Sequence, residues 1–72
     1  MVYLVGLIEY GKVTHVWNFG CDYNRAIDQL SKLLSVYDEV NEVEPLILKV
    51  GYSEQNIDFR TLLNTRCIVP KV

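Results

Sequence analysis

Three side chains in the first third of the chain could carry chemistry: His15 as a general base, Cys21 in a catalytic or redox role, and Arg25 beside them. A small enzyme or nucleic-acid-processing domain would have to bring all three into one pocket. Their setting argues against it. His15 is the only histidine, and the strand pattern places it beside Ile8 as a half-buried, hydrogen-bonded residue, away from any carboxylate or thiol. Cys21 stands before a helix start with Asp22 beside it, and no Cys-x-x-Cys pair exists. His15, Cys21 and Cys67 lack any recognised metal-ligand spacing. The chain therefore reads as a non-enzyme, with no catalytic residue, metal or cofactor expected.

A second group is acidic. Asp38, Glu39, Glu42 and Glu44 cluster where a predicted helix ends, and negative charge there opposes the helix dipole. No calcium-loop pattern accompanies them. They read either as a solvated connection or as an electrostatic contact for a basic partner surface.

The elements that must position these residues follow from periodicity. Val2 to Tyr10 and Val13 to Phe19 are two strands rich in β-branched and aromatic residues, joined at Gly11-Lys12 as a type II′ hairpin. In that register Tyr10 faces Val13, Ile8 faces His15, Trp17 covers Gly6 and Leu4 faces Phe19. Tyr23, Ala26, Ile27, Leu30, Leu33, Leu34 and Tyr37 recur at helical spacing, with Asp22 as N-cap. That helix fades near Glu39 to Asn41, and Pro45 bounds it. Leu46 to Tyr52 is a third strand. A short helix follows through Leu63, with Phe59, Leu62 and Leu63 on its buried side. Arg66 to Val69 is a last strand, ended by Pro70.

Tyr3, then Gly11-Lys12-Val13, then Phe19-Gly20, followed by Arg25, resembles the opening hairpin of the GIY-YIG nucleases over about the first 30 residues. The resemblance implies nucleic-acid cleavage with Arg25 in the site. The sequence departs from that pattern at its defining second tyrosine, which is Phe19 here. Arg25 also follows Gly20 too closely, and Glu54 is the only candidate for the later metal-binding glutamate. These departures set the chain outside the family.

The chain has 72 residues, half of them hydrophobic, so a single α+β domain spanning 1–72 is expected. A chain this short buries only about 60% of its unfolded surface, and small folds usually add a disulfide, a metal or a second subunit. Met1 runs into a strand with no basic leader, so a cytoplasmic protein with reduced, buried Cys21 and Cys67 is expected rather than a paired one. No apolar run reaches the roughly 18 residues that span a bilayer. The net charge of −2 is unevenly spread. Asp22, Asp28, Asp38, Glu39, Glu42 and Glu44 face only Arg25 and Lys32 across residues 22–44. No basic stripe could neutralise several phosphates, which argues against nucleic acid as partner.

The order ββαβαβ predicts a two-layer sandwich: about four strands with both helices on one face. Such a sandwich covers one face of its sheet. Leu4, Ile8, Trp17 and Phe19 form the expected core side of the hairpin, leaving Tyr3, Val5, Leu7 and Val16 as an uncovered apolar face. The functional expectation is a non-enzymatic module that binds another protein, a second copy of itself, or both. Its contacts would be Tyr3, Val5, Leu7 and Val16, with Asp38, Glu39, Glu42 and Glu44 as an acidic complement. Small accessory or inhibitory proteins of phages and mobile elements have this size and style.

Overall fold

Residues 1–65 are described by a computed structural model. Three strands, β1 (Val2–Glu9), β2 (Lys12–Asn18) and β3 (Val43–Val50), form one antiparallel sheet in the order β2-β1-β3. Helix α1 (Tyr23–Val36) links the hairpin to β3, and a 3-10 turn at Tyr52–Glu54 leads to the short helix α2 (Phe59–Thr65). The fourth strand expected at Arg66 to Val69 lies outside the described residues.

The helices cover opposite faces of the sheet, not one. Val5 of β1 and Ile47 of β3 pack with Ala26, Leu30 and Leu33 of α1. Val2, Leu4, Leu48 and Val50, on the other face, pack with Phe59 and Leu62 of α2. The described elements thus make three layers, helix–sheet–helix, and the two-layer expectation is corrected. The cause is visible in β1. A strand paired on both edges and covered on both faces exposes nothing, so its residues can be a near-continuous apolar run. Val2, Leu4, Val5 and Leu7 are all buried.

Gly6 sits where that covering is tightest. A Cβ built on Gly6 would lie 2.3 Å from the Phe59 ring. The ring of α2 therefore rests on bare backbone at the centre of the sheet. Phe59, not Trp17, covers the glycine gap.

The hairpin closes one residue earlier than expected. Its register pairs Leu4 with Asn18, Val5 with Trp17, Gly6 with Val16 and Leu7 with His15, and then shifts so that Ile8 meets Val13 and Glu9 meets Lys12. The central turn residues are Tyr10 and Gly11, both with positive φ (53° and 78°), as a type I′ turn requires. The shift leaves Thr14 as a bulge residue, and its hydroxyl donates to the Leu7 carbonyl at 3.3 Å. A one-residue change of register turns side chains to the other face. Trp17 and Phe19 consequently pack on the α1 side, while Leu4 belongs to the α2 side.

Helix α1 forms much as its stripe predicts. The Asp22 carboxylate accepts from the Arg25 amide at 3.1 Å, and Ala26, Leu30 and Leu33 are its buried residues. Its end comes at Tyr37, whose N–H donates to the Leu33 carbonyl. Asp22→Ala should cost about 1 kcal/mol, the usual worth of an N-cap, measured as a lower urea midpoint. Pro45 lies within β3, opposite Leu7, rather than before the strand. Among the described residues β3 is bonded on one side only, which is where a strand tolerates proline.

Candidate docking site at the hairpin end

The residues singled out for catalysis do not share the groove described below. His15 is exposed on the outermost strand, its Nδ1 3.2 Å from the Thr14 hydroxyl and its ring stacked on Trp17 with centroids 5.5 Å apart. It is neither half-buried nor beside Ile8, since the hairpin register sets it against Leu7. Arg25 lies over the Phe19 ring, 5.9 Å from its centroid. Cys21 is exposed rather than buried, and Cys67 lies outside the described residues.

The expected apolar face is also redistributed. Val5 and Leu7 are fully buried, Val5 among the α1 contacts. Tyr3 is half-buried, its ring 5.0 Å from that of Tyr23. Only Val16, on β2 opposite Gly6, is exposed. No continuous uncovered sheet face remains among these four residues, because α1 lies where the two-layer arrangement had left the sheet bare.

What stays open is the end of the sheet where the hairpin turns. Ile8, Tyr10, Gly11, Glu42, Val43 and Glu44 line an open groove there. Two segments meet to make it. The Tyr10 N–H donates to the Glu42 carbonyl at 2.8 Å, tying the hairpin turn to the connector between α1 and β3. Arg60 of α2 donates to the Gly11 carbonyl and holds the turn from the other side. Ile8 and Val43 are half-buried, while Tyr10, Glu42 and Glu44 are exposed.

The backbone at this end is unusual. Tyr10, Glu39 and Glu42 adopt left-handed conformations, with φ of 53°, 64° and 64°. Each costs a residue with a Cβ roughly 1–2 kcal/mol relative to the right-handed form. A type I′ turn favours Asn-Gly at its centre, yet this one carries a tyrosine that is 73% exposed. Tyr10→Asn should therefore stabilise the fold by about 1 kcal/mol, seen as a Tm higher by roughly 4–8 °C. An unchanged or lower Tm would show that the ring makes compensating contacts.

No family model, curated protein or solved structure matches the chain. The likeness of the hairpin to the GIY-YIG opening gains no support from these comparisons. Among the described residues no helix is long and apolar enough to cross a membrane, and no cluster of three or more His, Cys, Asp or Glu side chains could hold a metal ion.

The acidic segment thus has a definite place. Glu42 and Glu44 line the groove, whereas Asp38 and Glu39 lie exposed on the connector leading to it. Tyr10, expected as a strand residue facing Val13, is the groove residue absent from the expected partner contacts.

Proposed function

We propose that this protein is a small non-enzymatic protein-binding module that docks its partner at the hairpin end, in the manner of an accessory or inhibitory protein. Tyr10 carries the reading. An exposed aromatic in a backbone conformation unfavourable to it, beside an open groove, is a costly arrangement for stability alone. Tyrosine in such a place offers large contact area at low entropic cost. The acidic rim then steers association and selects among partners.

Site-directed photo-crosslinking tests this. A benzoylphenylalanine at position 10, in the cell extract where the protein acts, should give one discrete adduct. Excess unmodified wild-type chain should compete it away, and excess Tyr10→Asn chain should not. The same probe at Val36, an exposed helix residue, serves as the control. Equal competition by both chains, or the same adduct from position 36, would refute docking at the hairpin end.

Self-association is a second reading, supported by a different element. Among the described residues β2 is bonded on one side only and presents Thr14, His15, Val16 and Asn18 to solvent. Such an edge can pair with its copy about a two-fold axis. Sedimentation would show a dimer that Val16→Asp weakens. A monomer at all concentrations would remove this reading.

A further inference from the structure

We propose that the hairpin-end groove receives a lysine or arginine side chain from a basic segment of the partner protein, an inference that rests on the docking reading above. Each part of the groove suits one part of such a side chain. Ile8 and Val43 are half-buried apolar residues of the lining, matched to a long aliphatic stem. The Tyr10 ring, 73% exposed, offers a face for cation–π contact. Glu42 and Glu44 supply the anions, and neither carboxylate has a hydrogen-bond or ion-pair partner among the described residues.

Two cations among the described residues stand near the groove. Arg60 donates to the Gly11 carbonyl, and Lys12 stands opposite Glu9 in the hairpin register. Arg60 keeps its charge while donating, and Glu9 offsets Lys12, so Glu42 and Glu44 still leave a negative excess at the groove, extended along the connector by Asp38 and Glu39. Other occupants fit worse. An acidic or phosphate-bearing partner meets like charge. A wholly apolar segment would desolvate two carboxylates with nothing to compensate them. A basic segment satisfies the charge and the apolar lining together.

Amide chemical shifts of the full-length 15N-labelled chain read this directly, with Nα-acetyl-lysine and Nα-acetyl-arginine methylamides as probes. Nα-acetyl-norleucine methylamide is the uncharged control. The cationic probes should shift Tyr10, Gly11, Glu42, Val43 and Glu44, and norleucine should not. The E42Q/E44Q variant, shown folded by its otherwise unchanged spectrum, should bind about tenfold more weakly, the combined worth of two exposed ion pairs. Raising ionic strength from about 0.02 to about 0.2 M should weaken the wild-type response as well. No shift at these amides, or an equal response to norleucine, overturns the proposal. If the position-10 adduct persists while the cationic probes leave the groove untouched, docking stands and the cationic occupant is rejected. If the adduct is lost too, both fall.

Discussion

Val5→Asp unfolds the protein, whereas Val16→Asp costs only about 1 kcal/mol and leaves it folded. The two valines lie on strands paired side by side in one hairpin, and both belong to the face that sequence reasoning expects to be open. Val5 is 0% exposed and packs against Ala26, Leu30 and Leu33. A carboxylate there forfeits the burial of a valine side chain, roughly 1.5–3 kcal/mol, and adds the cost of an uncompensated polar group. The sum exceeds about 4 kcal/mol, close to the whole stability of a chain this short. Val16 is 46% exposed on the outer strand, so the same substitution there keeps the charge in water and forfeits only partial burial and strand propensity. Far-ultraviolet circular dichroism with urea titration separates the two cases. A folded Val5→Asp protein would mean that α1 does not cover this face.

Gly6→Ala should cost about 3 kcal/mol, more than one methyl group ordinarily does. The added Cβ would sit 2.3 Å from the Phe59 ring, so the ring must shift and give up part of its packing on the sheet. Phe59 is 5% exposed, and losing its burial costs about 3–5 kcal/mol in comparable cores. The decisive arm is the double mutant. With Phe59→Ala already in place the methyl group meets no ring, and alanine is the better strand residue by roughly 0.5–1 kcal/mol. Gly6→Ala should then turn from damaging to mildly stabilising in urea midpoints. Equal damage in both backgrounds would show that the glycine is needed for another reason.

Much of the architecture was legible because local rules agree with the fold. Asp22 and the stripe from Ala26 to Leu33 announce α1 without tertiary information, and they occupy the places expected of them. Phe59 and Leu62 likewise read as a buried helix side. The hairpin was legible as a hairpin but not in its register. Turn chemistry favours glycine first for type II′ and asparagine first for type I′, so Tyr10-Gly11 is the less expected choice. Because side chains alternate along a strand, that one-residue difference moves Trp17 away from Gly6 and His15 away from Ile8.

The covering of β1 was illegible for another reason. Its apolar residues on both faces are compatible with a bare docking face or with a second helix layer. Local pattern cannot say which side α2 takes, since that depends on the path of the chain after Val50. Gly6 is the residue that records the answer, through the ring it admits. The candidate site was half legible: Glu42 and Glu44 were named among the acidic contacts, while Val5 and Leu7 belong to the core. Tyr10 becomes conspicuous only once its φ and exposure are known.

Both faces of β1 are covered, and the proposed docking at the hairpin end rather than on the sheet depends on that covering. The Gly6 α-proton chemical shifts test it most directly, because they lie beneath the Phe59 ring. Ring-current shielding should move them well upfield in the wild type, and Phe59→Leu should return them to ordinary strand values. Unshifted Gly6 α-protons in the folded wild type would mean that α2 does not lie on this face, and the sheet itself would again be the candidate docking surface.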